Sequence, residues 1–114
     1  MSKKFSSKLK RHYHRMNYEL KDNALDEIKC GQIVRSKAGR DKCRHFIVYE
    51  VEGQFLNLVD GSLRKIEKPK KKKFKHIQKV NIYVEDFEKL RNHRDFNNAL
   101  VRKILNSYEK KENC

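Results

Sequence analysis

The sequence contains few of the residues that stabilise small extracellular domains. Its 114 residues include one proline, four glycines, no tryptophan and three cysteines. Cys30, Cys43 and Cys114 are odd in number and never form a C-x-x-C pair, so we expect neither a disulfide scaffold nor a zinc site. Cys43 is interpreted as a passive thiol in a loop. Cysteines of this kind are typical of a reducing compartment, and a cytoplasmic location is expected.

Long apolar runs are also missing. The longest is Phe46–Tyr49, far short of the 18 or so residues of a membrane span, which excludes an integral membrane protein. Residues 1–10 contain no apolar stretch of the kind found in secretory signals, so we expect no signal peptide. A chain of this length can build one core but not two, and a single domain with tails follows.

Acidic residues are scarce as well, and their distribution is uneven. Lys and Arg number 29 against 15 Asp and Glu, a formal net charge of +14. Two segments hold the whole excess: residues 1–16 carry +6, and residues 64–79 carry +8. Segments of one sign repel themselves and are stable beside a polyanion. A merely solubilising surface is the alternative, although solubility does not require such dense packing of one charge.

Residues 1–24 are interpreted as a basic N-terminal extension. Phe5, Leu9, Tyr13 and Met16 recur at a spacing that places them on one face of a helix. A basic amphipathic segment can lie on a membrane surface, act as an organellar presequence or fold against RNA. Disorder in the unbound protein is an equally good interpretation of this pattern.

Residues 25–82 have the pattern of a small β domain. Short β-favouring runs alternate with turns at Gly39, Gly53 and Gly61. Regular spacing of this kind predicts a five-stranded antiparallel β-barrel with a lysine-rich loop at 64–76. Pro69 is expected to keep that loop from extending a strand ladder. The predicted strands are Gly31–Arg35, Arg44–Val51, Gln54–Val59, Ser62–Ile66 and His76–Val80.

Residues 83–114 are predicted to be helical. One apolar stripe at helical spacing comprises Phe96, Leu100, Val101, Ile104, Leu105 and Tyr108, and Asp95 stands where an N-cap belongs. Val84, Phe87 and Leu90 indicate a shorter helical turn before it. We expect both segments to pack on the barrel as core, with a partner-binding helix as the alternative.

The strand region resembles a KOW motif. The residues that carry the resemblance are Gly31–Asp41, the strand at Phe46 and the turn Leu58–Gly61. They are most similar to small KOW ribosomal proteins of the archaeal and eukaryotic large subunit and to their short bacterial relatives. The basic segment from Arg64 to Ile77 and the closing residues 98–105 are similar to the bacterial group.

The resemblance implies an SH3-like barrel that binds ribosomal or other RNA through loops at one end. The motif glycines of the family fall on Gly31 and Gly39, and its valine-aspartate-glycine turn falls on Val59–Gly61. Cys43 stands where the family usually has a second loop glycine. If that position requires positive φ, Cys43 must either rearrange the loop or accept backbone strain.

Basic residues of the first loop (residues 37–44) and of the lysine-rich segment (residues 64–76) are the candidate RNA contacts. Lysine outnumbers arginine among them, which favours contact with the phosphate backbone over base reading. Phe74 is either a base-stacking residue or a partly buried barrel residue. The candidates are Lys37, Arg40, Lys42, Arg44, Arg64, Lys65, Lys70, Lys71, Lys72, Lys73, Phe74, Lys75 and His76, with Lys3, Lys4, Lys8, Lys10, Arg11 and Arg15 in the extension.

Motifs for catalysis are missing. The five histidines share no zinc-ligand spacing with a cysteine, and the chain contains no phosphate loop or nucleophile elbow. We therefore predict a non-enzymatic, monomeric RNA-binding protein without metal, cofactor or small-molecule substrate, associated with the ribosome or with translation. Ribosomal proteins are possible further partners. Two alternatives remain open: a barrel that contacts a protein of the transcription or translation machinery, and a membrane-surface protein that uses residues 1–16.

Overall fold

A computed structural model describes residues 18–23, 27–37 and 39–109 of the chain. Six strands and two helices form within these ranges, and short 3-10 turns cover 39–41 and 74–76. The strands are β1 Leu20–Asp22, β2 Gln32–Ser36, β3 His45–Glu52, β4 Phe55–Val59, β5 Lys70–Lys73 and β6 Ile77–Val84; the helices are α1 Phe87–Arg91 and α2 Asn98–Glu109.

All six strands belong to one antiparallel sheet with the order β1-β6-β2-β3-β4-β5. The protein is thus mainly β with a C-terminal helix, as predicted, and the arrangement is compatible with a small barrel-like fold. The 3-10 turn at 74–76 carries the chain from β5 at one edge of the sheet to β6 beside β2. Six strands are present where five were predicted, because β1 adds to the free side of β6.

The fourth predicted strand, Ser62–Ile66, is wrong. The carboxylate of Asp60 accepts hydrogen bonds from the backbone N–H groups of Ser62 at 2.9 Å and Arg64 at 2.7 Å. These donors are therefore engaged in a turn and do not join a ladder. The strand that pairs with β4 is β5, which starts immediately after Pro69, so the expectation that Pro69 prevents strand pairing is also wrong. Proline before the first residue of an edge strand leaves the ladder intact.

The sheet buries apolar side chains on both faces, in two separate clusters. One cluster joins Ile33, Ile47 and Val59 to the two helices. The other lies on the opposite face and comprises Val34, Phe46, Val48, Leu56, Leu58 and Ile77. Neighbours such as Ile33 and Val34 enter different clusters because successive side chains of a strand point to opposite faces.

The two helices pack against the sheet as predicted. All six residues of the predicted apolar stripe are buried, five of them on α2 and Phe96 just before it, and Val101 and Ile104 are fully inaccessible to solvent. Their contacts with the sheet confirm the core interpretation of this helix. The predicted N-cap is wrong: α2 begins at Asn98, and the side-chain oxygen of Asn97 accepts the backbone N–H of Leu100 at 2.9 Å. Asp95 lies too far upstream to reach the first turn and instead approaches His93 at 3.9 Å.

A buried amide network attaches β1 to the rest of the sheet. Gln32, fully buried, accepts a hydrogen bond from the side chain of Asn23 at 2.6 Å and donates to the carbonyl of Ile82 at 2.9 Å. It lies where the register between β2 and β6 shifts, so its amide satisfies strand carbonyls that the ladder leaves unpaired. Lys79, from the basic segment, donates to the carbonyl of Asn23 and therefore has a structural role.

Several sequence predictions lie outside the described residues. They include the amphipathic pattern at Phe5–Met16 and the six basic candidates of the extension from Lys3 to Arg15. Part of the predicted extension is described: residues 20–22 form β1. In the described part of the chain, no helix has the length and apolar character needed to span a membrane.

Candidate nucleic-acid interface

The loop between β2 and β3, residues 37–44, projects three basic side chains into solvent. Lys37, Arg40 and Lys42 are all exposed. The loop closes with a hydrogen bond from the backbone N–H of Cys43 to the carbonyl of Ser36, at 3.0 Å. No ion pair to an acidic side chain occupies these three cations in the described ranges. They are thus accessible to an anionic ligand.

Cys43 adopts a backbone conformation that favours glycine. Its φ is +73°, in the left-handed region, so the loop does not rearrange to avoid positive φ at this position and accepts the associated strain. Cys43 is also disulfide-bonded, which corrects the expectation of a passive thiol at this position. Cys30 is a free thiol.

Arg44, at the end of the same loop, is engaged within the protein. Its guanidinium lies 3.0 Å from the carboxylate of Asp60, a residue that is only 6% exposed. Because Asp60 also organises the turn at 61–64, Arg44 holds the first loop to that turn. Opening this partly buried pair would leave the Asp60 charge without its partner, which disfavours its exchange for a phosphate.

The four lysines of β5 alternate between two faces of the sheet. Lys70 and Lys72 are directly opposite Leu58 and Leu56, whose side chains are buried. Opposite residues of an antiparallel pair point the same way, so these two lysines lie on the core face. Both are half-buried, and the ammonium of Lys72 donates to the Ser36 hydroxyl at 2.7 Å. Such a lysine covers apolar surface with its stem while its ammonium reaches a polar partner.

Lys71 and Lys73 lie on the outer face and are exposed. Lys71 forms an ion pair with Glu52 at 3.0 Å, which lowers the pKa of that carboxyl through hydrogen bonding and charge. Both ammonium groups approach the ring of Phe55, at 5.7 and 5.8 Å from its centroid. The lysine segment is therefore a strand in which Lys70 and Lys72 face the core and Lys71 and Lys73 face solvent.

The 3-10 turn at 74–76 joins the two groups of cations. Its residues Phe74, Lys75 and His76 are all exposed, Phe74 by 48%. The backbone N–H of Lys37 donates to the carbonyl of His76 at 3.0 Å. The first loop and the end of the lysine segment are consequently adjacent, although 39 positions separate them in the sequence.

Arg64 and Lys65 lie elsewhere, in the segment that contacts α2. The following residue, Ile66, donates its backbone N–H to the side chain of Asn98 at 2.8 Å. Asn98 also donates to Glu67 at 3.0 Å and thereby lowers the pKa of that carboxyl. The segment with these two candidates is therefore held to the helix through Ile66 and to Arg44 of the first loop through Asp60.

Sequence reasoning missed Phe55, which is 36% exposed beside the outer lysines. A signal was available, because Phe55 has the opposite parity in its strand to the buried pair Leu56 and Leu58. It also missed Gln32, since an isolated glutamine in a β-favouring run gives no indication of burial.

The described residues form clefts but no cluster of metal ligands. They contain no group of three or more His, Cys, Asp or Glu side chains suited to a metal ion. A cleft of 390 Å³ lies beside α1, lined by residues that include Lys29, Cys30 and Tyr83, and another of 450 Å³ lies along α2. Both are on the helical side of the protein, away from the cations of the turn at 74–76.

The sequence was compared with known proteins. No protein-family model matches it, and no curated protein matches it. The resemblance to the KOW motif therefore remains a prediction.

Proposed function

We propose that this protein is a non-enzymatic RNA-binding protein that grips the phosphate backbone of ribosomal RNA or of another RNA used in translation. One observation carries the proposal: the hydrogen bond between Lys37 and His76 brings two basic segments to the same place. Exposed cations from both segments follow this contact on either side, and they are the donors that would bind phosphates. The patch, as we call it, comprises Lys37, Arg40, Lys42, Lys71, Lys73 and Lys75.

We further propose that the sheet is an SH3-like barrel of the KOW type. Support comes from the unbroken antiparallel neighbours from β6 through β2, β3 and β4 to β5. The turn at 74–76 then returns the chain to β6, and the ammonium of Lys72 reaches Ser36 on β2. Gly61 supports it too, because α2 packs so closely on the family's turn that a Cβ would overlap the Asn98 carbonyl oxygen.

Protection of an exposed sheet edge is the competing explanation for the lysines. Lysine on an edge strand hinders pairing with another chain, and β5 is such a strand. That explanation accounts for Lys71 and Lys73 but not for Lys37, Arg40, Lys42 and Lys75, which lie outside the edge strand. RNA binding accounts for both sets.

A matched pair of triple variants tests the proposal. Lys37→Gln, Lys42→Gln and Lys75→Gln together remove three cations of the patch. Lys89→Gln, Arg94→Gln and Lys103→Gln remove three exposed cations on the helical side. Both variants change the net charge equally, so a difference between them reports on position rather than on overall charge.

Binding of each full-length variant to structured RNA is measured by fluorescence anisotropy from 50 to 400 mM KCl. The patch variant should bind many RNAs alike with lower affinity, and the salt slope should fall by about 2, since each lost phosphate contact removes roughly 0.7–0.9. The control variant should retain most of the slope. An equal loss of RNA affinity in both variants would show that overall charge, and not the patch, determines binding. Absence of RNA binding by the wild type at 50 mM KCl would refute the proposed function.

Sedimentation of a lysate on sucrose gradients then tests the ribosomal assignment. Co-migration with ribosomal particles at low salt and release at high salt support it. Co-migration that survives high salt points instead to an apolar contact with a protein partner.

A further inference from the structure

Two exposed phenylalanines of the described residues lie beside the patch. Four large apolar side chains are exposed among these residues: Val51, Phe55, Leu63 and Phe74. Leu63 lies in the turn near α2, and Val51 is opposite the buried Leu56 and therefore on the other face of the sheet from Phe55. Phe55 and Phe74 both lie at the end of the β3–β4 hairpin, where the backbone N–H of Phe74 donates to the carbonyl of Gln54 at 3.1 Å. Scattered apolar residues are ordinary on a surface, whereas a cluster indicates a contact site.

The two phenylalanines are held by rigid backbone. Phe55 is paired with Lys73 across the β4–β5 ladder, and Phe74 follows Lys73 directly in the chain. Phe74 is therefore attached one residue beyond the partner of Phe55, and neither ring contacts another aromatic ring within the described part of the protein. Each ring can thus offer a face to a ligand.

Two cations lie beside the Phe55 ring. The ammonium groups of Lys71 and Lys73 lie 5.7 and 5.8 Å from the Phe55 centroid, distances at which a flexible lysine can yield the ring face to a ligand. Lys75 follows Phe74 in the same turn. Exposed aromatic rings interleaved with positive charge are the features that bind unpaired nucleotides, by base stacking and phosphate contact together.

We propose that Phe55 and Phe74 stack on unpaired bases, so that the preferred ligand is an RNA with a single-stranded segment, such as a loop or bulge. The inference rests on the proposed RNA-binding function and adds the class of RNA to it. Base edges inside a duplex are stacked on each other and cannot reach these rings. The patch binds the phosphates on either side of the splayed nucleotides.

Four single variants of the full-length protein test the inference. Phe55→Ala and Phe74→Ala each remove a ring, and Phe74→Tyr keeps an aromatic ring at position 74. Leu63→Ala removes a more exposed apolar residue that is not aromatic and does not belong to the patch. Probes are a fluorescent 12-nucleotide oligo(A) and a 12-base-pair RNA duplex, and thermal melts verify that each variant is folded.

Each Phe→Ala variant should bind oligo(A) at least about fivefold more weakly, with the duplex affinity unchanged. Phe74→Tyr and Leu63→Ala should bind both probes like the wild type. Unchanged oligo(A) affinity in both alanine variants, with salt-dependent RNA binding retained, would overturn the stacking and leave the proposed function standing. Parallel loss for both probes would overturn it too. Poly-glutamate that displaces oligo(A) from the wild type but not from Phe74→Ala would identify an acidic protein segment as the ligand.

Discussion

The alternation of the β5 lysines leads to a prediction that two isomeric variants can test. One carries Lys70→Gln and Lys72→Gln, on the core face; the other carries Lys71→Gln and Lys73→Gln, on the outer face. Both have the same composition and the same net charge. Any difference between them in stability or RNA binding is therefore due to the face of the strand on which the lysines lie.

The core-face variant should lose stability. Lys72 loses a hydrogen bond from a charged group to Ser36, a contribution of roughly 1–2 kcal/mol. The shorter glutamine stems also cover less of the apolar cluster beneath Leu56 and Leu58, where each buried methylene contributes at most about 0.8 kcal/mol. We expect about 2 kcal/mol in total, which lowers the Tm by roughly 8 °C in a domain of this size.

The outer-face variant should lose RNA affinity instead. Its main contact within the protein is the exposed ion pair between Lys71 and Glu52, and solvent screening leaves exposed pairs with little effect on stability. The Tm should stay within about 3 °C, while the salt slope of RNA binding falls by about 1.4, or two phosphate contacts. Melting curves and anisotropy titrations on both variants check the two halves of the prediction.

Equal salt slopes in the two variants would refute this reasoning. In that case all four lysines would act as a mobile cloud of charge, and their alternation would be irrelevant to binding. Equal melting temperatures would separately contradict the structural role of Lys70 and Lys72.

Two further predictions concern the turn and the edge strand. Gly61→Ala should lower the free energy of unfolding in urea by more than about 2 kcal/mol, because Gly61 has positive φ and packs against α2. The control Gly53→Ala should lower it by only about 1 kcal/mol, because Gly53 has positive φ but no atom lies close to the position of the added Cβ. Similar losses in the two variants would contradict the packing argument. The lowered pKa of Glu52 beside Lys71 means that the pair stabilises the fold above pH 4.5 and that this stability is lost as the pH falls through the folded pKa. Glu52→Gln should thus flatten the acid limb of the stability curve, and an unchanged limb would argue against the pair.

The fold could be predicted where a local pattern determines it. The helix α2 could be predicted because five of its apolar residues recur at helical spacing, and β3 because its residues favour strands throughout. In contrast, β1 and β5 depend on partners distant in sequence. Four consecutive lysines have no apolar alternation, and they form a strand because Phe55–Leu58 provides the ladder beside them. Non-local pairing of this kind overrides intrinsic propensity.

The sequence indicated which segments form the candidate site, but not which of their basic residues face solvent. Charge alone indicated both basic segments, yet it could not separate the cations with partners inside the protein from those without. Arg44 is bound to Asp60 and Lys79 to Asn23, whereas Lys37 and Lys75 point into solvent without an acidic partner in the described ranges. Which role a basic residue takes depends on a partner contributed by another element, and no local window contains that partner.

Because some basic residues have partners within the protein, the described part of the chain can give RNA binding only a limited salt dependence. The six cations of the patch can neutralise at most about six phosphates, which corresponds to a slope near 4 for a single strand and a loss of affinity of about 300-fold between 50 and 200 mM salt. Arg44, Lys70, Lys72 and Lys79 have partners within the protein and add little to this. A measured slope well above 4 would therefore require cations outside the patch, and residues 1–16 are the largest such block in the sequence, with a charge of +6. Deleting those residues should return such a slope to about 4, because the patch is built by β2, β5 and the turn at 74–76.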